Sequence, residues 1–275
     1  MKGEKRYNKA HHPVMRGVIY AYSLSIALAI LVLLVWSFNS LWPFPDLLPS
    51  LWNLDGYRSV LFETGDFGSV VGTSLIITVV VCVVSVVVAT LTARAFVFYD
   101  FPGKGLLDYL VYLPCMVPAV TFAIGVNILF IGFGLDGTLA GVIIPQIALS
   151  MPYAIKIITD ATRLLGSKYE EQAVVLGSSP IKAYFQVAFY YMLPSITAAM
   201  CMVFTVSFND YFLTFLLGKG QIETFAVMLV PLISGSNLSK SAVCGIIYVL
   251  FAMLFFFVLE RISSFILKKQ RLYLE

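Results

Sequence analysis

The sequence predicts an all-α integral membrane protein with six transmembrane helices and both termini in the cytoplasm. Three observations lead there. Of 275 residues, 60% are hydrophobic and only 12% charged, with mean hydropathy +0.91. Six largely uncharged runs approach or exceed the ~20 apolar residues that a spanning helix needs. The basic residues then segregate to alternate connections between those runs. A soluble domain carries about 25% charged residues, so this chain cannot cover a water-facing surface and a soluble enzyme is excluded. Intrinsic disorder, which needs low hydrophobicity and many charges, is excluded by the same figures.

The first span is expected at Val18–Phe38, VIYAYSLSIALAILVLLVWSF. Residues 1–17 before it, with Lys2, Lys5, Arg6, Lys9 and Arg16, form a cytoplasmic tail. The apolar run is too long for a cleaved signal and no small-residue cleavage site follows, so it reads as a signal anchor. His11 and His12 sit in the tail without partners for a closed metal set, so no metal site is expected.

The second span is expected at Ser69–Ala93. Its Val-rich VVVCVVSVVVA stretch would suggest a strand in water, but a lone strand in lipid leaves its backbone unpaired. The third lies within Tyr109–Leu135, the fourth runs from about Thr138 to Ile158, the fifth from about Ile196 to Leu217, and the sixth from about Ser241 to Leu259. Pro114, Pro118 and Pro145 are expected to kink their helices and open a cavity. Cys82, Cys115, Cys201 and Cys244 all fall in apolar runs, with neither metal spacing nor a disulfide pattern, and read as packing residues.

With the N-terminus inside, inner segments hold 15 of the 18 basic residues, and only Arg58, Lys219 and Lys240 remain outside. Asp46, Asp55, Glu63, Asp66, Asp136 and Glu223 accompany those three. An even number of spans returns residues 263–275 to the cytoplasm. The outer segment 39–68 carries Trp42, Pro43, Pro45, Pro49 and Trp52, and is expected to form a cap at the membrane surface. Residues 69–262 make up the remaining core of five spans.

Function is expected in the long, charged cytoplasmic segment between the fourth and fifth spans, about residues 166–195. It contains EEQAVVLGSSPIKAYF, starting at Glu170. Glu170–Leu176 can form a short amphipathic helix with Ala173 and Leu176 on one side. Gly177 can end it in the left-handed conformation. Ser178 or Ser179 before Pro180 can begin a second helix. Two short helices at an angle make a knob able to enter a groove on another protein.

Glu171-Gln172-Ala173, Gly177, Ser178, the aromatic Tyr184, Val187 and Pro194 resemble the loop of permease subunits of binding-protein-dependent ABC importers. The stretches YLPCMVPAV and SFNDYF extend the resemblance to about residues 69–262. Two departures stand: Gln172 replaces an alanine, and Phe189-Tyr190 replaces a Leu-Pro pair. The resemblance implies a non-catalytic transmembrane subunit of the cell (inner) membrane, which forms the translocation path. It also implies that Glu170, Glu171, Ala173, Gly177, Ser178 and Tyr184 couple it to separate ATP-binding cassette subunits. A second permease, as hetero- or homodimer, and an extracytoplasmic substrate-binding protein are the other implied partners, with no nucleic acid.

No G-x-x-x-x-G-K-[ST] phosphate loop exists in the chain, so ATP and Mg are expected on a partner chain and no cofactor on this one. Within the spans, ionisable residues are costly and mark function. Asp210, beside Asn209, is expected about 14 residues into the fifth span, roughly 20 Å from its inner end. Two readings stand for the pair: a lining of the translocation path or its outer gate, or a cap on a helix break near the outer surface. An acidic Asp210, an acid-rich outer face and a resemblance to the spermidine/putrescine branch suggest a small cationic substrate. The competing reading is a self-contained ion- or proton-coupled carrier, which needs ionisable residues near the midplane of several spans; only Asp210 approaches this. A membrane enzyme needs a nucleophile–base cluster that the sequence lacks.

Overall fold

The computed structural model describes residues 12–41, 51–63, 67–235 and 238–272. Helix α1 spans His12–Ser37. A two-stranded antiparallel ribbon follows, β1 (Asn39–Leu41) against β2 (Leu51–Trp52), with an irregular register between Asn39 and Leu41. After α2 (Asp55–Arg58) and a π-helical turn (Ser59–Glu63) come α3 (Phe67–Phe98), α4 (Lys104–Met116), α5 (Ala119–Phe133) and α6 (Leu139–Leu165). Then come α7 (Lys168–Val175), α8 (Pro180–Ala183), a second π-helical turn (Tyr184–Ala188) and α9 (Phe189–Phe208). The chain ends with α10 (Phe212–Gly218), α11 (Phe225–Ser234) and α12 (Leu238–Leu272). The tail histidine His11 and the residues Trp42, Pro43, Pro45 and Pro49 lie outside the described residues.

Among the described residues the architecture is all-α apart from that ribbon, and five helices are long and apolar enough to span a membrane. A sixth span arises if α4 and α5 are counted together, but they meet at 103°. The third stretch is thus a broken pair rather than one straight helix. The break falls at Val117-Pro118, because a residue before proline is pushed into extended backbone and Val117 adopts φ −84°, ψ 132°. Pro114, Pro145 and Pro152 lie inside helices that continue past them.

The fifth span also differs from expectation. Helix runs without interruption from Pro180 to Phe208, 29 residues, rather than from about Ile196 to Leu217. The helix start at Ser179–Pro180 is as expected; its unbroken continuation into the span is not evident from the sequence. The consequence is that Asp210 lies just beyond the end of the helix, not inside it. Helix α11 has no counterpart in the sequence expectation.

The chain forms two compact units. The first comprises residues up to Phe67 and Leu232–Val249. In it, the Tyr57 hydroxyl donates to Ser37 Oγ at 2.9 Å and its ring lies 5.4 Å from that of Phe38, seating α2 against the end of α1. Gly56 is required there: a Cβ would come within 2.6 Å of Ser239 Oγ and 3.2 Å of Val243 Cγ2.

The second unit comprises Gly68–Pro231 and Leu250–Glu275. Its centre is the packing of α6 on α9, through buried Ala154, Ile155 and Ile158 and buried Met192, Ile196, Ala199 and Val203. Small residues let backbones approach where no hydrophobic force separates protein from lipid. The same device recurs on α3, where Ala89 and Ala93 are fully buried. Phe204 of α9 stacks on Phe255 of α12 at 3.9 Å between ring centroids.

Candidate functional site

The segment between α6 and α9 folds as two short helices around a glycine. Two acidic residues, Glu170 and Glu171, occupy the first turn of α7, where negative charge suits the helix N-terminus. The helix ends as Gly177 takes φ +95°, a left-handed value that glycine adopts without Cβ strain. The Ser178 amide then donates to the Ala173 carbonyl at 3.0 Å and the Gly177 amide to the Val174 carbonyl at 2.9 Å, closing the helix end. Ser179 begins α8, its hydroxyl accepting from the Lys182 amide at 3.5 Å, with Pro180 in the first turn.

The residues singled out from sequence divide into two groups here. Glu170 and Tyr184 face inward. Both Glu170 carboxylate oxygens are engaged by Arg94 of α3, at 2.6 and 2.8 Å, and the Tyr184 ring lies 4.6 Å from the Arg94 guanidinium. Glu171 and Gly177 are exposed, while Ala173 and Ser178 are partly covered. The tip of the loop is apolar and solvent-facing: Val175 and Leu176 are each 87% exposed and Ile181 is 72% exposed.

Arg94 and the apolar tip join the residues expected from the sequence. A lone arginine at the end of an apolar run signals interfacial snorkelling just as well as an ion pair, so only the fold identifies its partner. The apolar tip had a sequence signal, VVL immediately before glycine in an otherwise polar segment. Aromatic residues ring the base, with Tyr169 stacked on Tyr191 at 5.1 Å.

A second polar cluster surrounds the break between α9 and α10. Asp210 Oδ2 accepts from the Thr214 amide at 3.0 Å and from the Thr214 hydroxyl at 2.7 Å, so it caps the short helix α10. Gln146 of α6 donates to the same oxygen at 3.1 Å and to the Thr214 hydroxyl at 2.9 Å. The Ser207 hydroxyl donates to Gln146 Oε1 at 2.6 Å. Gln146 is 2% exposed and Thr214 fully buried, whereas the neighbouring Asn209 is exposed. Asp210 thus sits at the break between α9 and α10 with its carboxylate engaged by Thr214 and Gln146.

Further along, the turn between α5 and α6 is held to the end of α10. The Gly137 amide donates to the Leu217 carbonyl at 2.8 Å, and Lys219 pairs with Asp136. Lys219 takes φ +48°, the left-handed region that costs a side-chain-bearing residue about 1 kcal/mol. Its ammonium holds the Asp136 carboxyl below the usual carboxylate range.

Residues 85–271 match the family "binding-protein-dependent transport system inner membrane component". The chain is 28% identical over 191 residues to the trehalose transport system permease protein SugB of Mycobacterium tuberculosis, covering 70% of this chain and 69% of SugB. It is 29% identical over 168 residues to a spermidine/putrescine transport system permease protein PotC homolog of Mycoplasma genitalium, covering 60% of this chain and 59% of that protein. With the osmoprotective compounds uptake permease protein GgtD of Synechocystis, identity is 30% over 182 residues, covering 66% of this chain and 61% of GgtD. The matched stretch therefore spans less than two thirds of two of these three curated relatives.

Among solved structures, a bacterial ABC transporter involved in import of the acidic polysaccharide alginate aligns with TM-score 0.66 at 15% identity, covering 93% of this chain and 98% of that one. The alginate transporter in complex with an alginate pentasaccharide-bound periplasmic protein aligns with TM-score 0.68, also at 15% identity, covering 94% and 98%. At that identity the likeness is one of fold.

Proposed function

The chain belongs to the family of binding-protein-dependent transport system inner membrane components, and we propose that it is the permease subunit of an ATP-driven ABC importer. The observation that carries the coupling part is the loop: a glycine-jointed pair of helices whose apolar tip, Val175, Leu176 and Ile181, faces away from the chain's own core. Glu171, Gly177 and Ser178 form the polar side of that contact. ATP and Mg bind the partner, whose closure pushes the loop and shifts the spans between inward- and outward-open populations. A second permease completes the path, and a substrate-binding protein delivers cargo from outside. Both termini and the loop lie on the cytoplasmic side of a cell (inner) membrane, a reading supported by the segregation of basic residues.

The test is gentle detergent purification of the tagged chain with identification of what accompanies it. An ATP-binding cassette protein that copurifies, and is lost on changing Glu171 and Gly177, supports the reading. A chain that comes alone under conditions preserving known complexes reopens the self-contained carrier.

For substrate, we propose a small cation such as a polyamine, supported by the acid-rich outer segments and the polyamine-named relatives. The trehalose-named relative favours a sugar instead. Asn209 and Asp210 border the path or its gate, at the break between α9 and α10. Uptake of labelled putrescine, weakened by Asp210→Asn and not competed by trehalose, supports the cation; trehalose uptake with no putrescine uptake overturns it.

A further inference from the structure

We infer that Arg94 is a positioning residue that locks the projecting loop in register, and that Glu170 serves this internal lock rather than contact with the ATPase. The inference rests on the coupling role proposed above for the loop. Four contacts converge on one guanidinium. Its two terminal nitrogens meet the two Glu170 oxygens, one each, at 2.6 and 2.8 Å. The Phe98 ring lies 5.2 Å from its central carbon and the Tyr184 ring 4.6 Å. Arg94 thus ties the end of α3 to the first turn of α7 and, past Gly177, to the turn after α8.

That arrangement fixes both arms of the loop at a single point. Glycine at 177 removes Cβ restraint at the elbow, so the angle between α7 and α8 needs setting from elsewhere. Arg94 touches a residue on each side of that elbow, seven positions before it and seven after. With the elbow fixed, Val175, Leu176 and Ile181 stand at one defined place, and a push on them is transmitted to α3 as well as to α6 and α9.

The chemistry of arginine is specific to this task. A planar guanidinium pairs with both oxygens of a carboxylate and presents its faces to aromatic rings simultaneously. A lysine ammonium makes a point contact and cannot do both. Glu170 side-chain exposure is 14% and that of Arg94 is 27%, so the pair is shielded yet lies at the edge of the protein. With both its oxygens occupied, Glu170 is not presented to a partner, whereas the adjacent Glu171 is exposed.

The experiment uses the full complex in lipid nanodiscs, with amide hydrogen exchange over residues 168–184 and ATP hydrolysis as paired readouts. Arg94→Ala is expected to speed exchange in that segment by about tenfold while leaving α9 between residues 196 and 208 unchanged. Arg94→Lys behaves nearly as Arg94→Ala. The exchanged pair Arg94→Glu with Glu170→Arg restores the ion pair but not the Tyr184 contact, and recovers protection of residues 168–176 above either single variant. Unchanged exchange in Arg94→Ala, equal loosening throughout α9, or no recovery in the exchanged pair overturns the inference. A wild-type chain that binds no ATPase overturns the coupling reading alone, and exchange still decides the lock.

Discussion

The Gln146 amide donates to Asp210 Oδ2 across 3.1 Å, joining residues 64 positions apart. The same oxygen accepts from the amide and hydroxyl of Thr214, so one carboxylate holds the first turn of α10 and, through Gln146, fastens it to α6; the Ser207 hydroxyl of α9 joins the same network on Gln146 Oε1. Removing one member of such a network leaves the others buried without partners, which is costlier than the bonds themselves are worth. Asp210→Ala should lower the stability of the detergent-solubilised chain by about 1–3 kcal/mol. Asp210→Asn, which retains an acceptor oxygen, should lose less. Thermal unfolding of the purified variants reads this; equal loss in both would point to charge rather than capping.

At Gly177, φ +95° decides the next expectation. Replacement by valine puts a branched side chain into the left-handed region at a cost of about 1–2 kcal/mol, so the joint should straighten or unravel. The variant should insert into membranes at wild-type levels and lose transport. Normal uptake by Gly177→Val would remove the loop from the coupling mechanism.

The tip residues behave differently. Leu176 is 87% exposed, so Leu176→Ser should leave stability within about 0.5 kcal/mol of wild type. Its effect should fall on partner binding alone. Copurification of the ATPase, scored against an unchanged melting curve, separates docking from folding at this position.

The ion pair of Lys219 and Asp136 gives a pH dependence of known sign. Because Lys219 holds the Asp136 carboxyl low, the pair's contribution is present at neutral pH. It disappears as pH falls through the lowered value. Melting curves of wild type and Asp136→Asn from neutral pH downward should therefore converge at the acid end. A gap of unchanged size at low pH would show that it arises from something other than the ionised pair.

What could be read from the sequence follows from which forces act locally. Long apolar runs, the Gly177 elbow and the Ser179–Pro180 helix start depend on neighbours in the chain, and each is present where composition places it. The extent of the fifth helix was not legible, because Tyr184 through Tyr191 carry no periodic apolar signal while packing supplies their helicity. The position of Asp210 followed from that: only the true end at Phe208 turns it from a residue inside a span into a cap. Arg94 was invisible for another reason, since its partner lies 76 positions away. The 103° bend at Val117-Pro118 had a visible cause in Pro118, but its size depends on what α4 and α5 pack against.

The proposed coupling requires the apolar tip of the loop to sit in a groove of an ATP-binding cassette subunit. The most direct measurement is photocrosslinking in native membranes from a benzophenone amino acid placed at Leu176, with mass spectrometry of the adduct and the same probe at Ile76 on α3 as reference. An adduct with an ATP-binding cassette protein is expected from Leu176 and none from Ile76. Adducts from Leu176 with lipid alone, or the same protein captured equally from both positions, would contradict it.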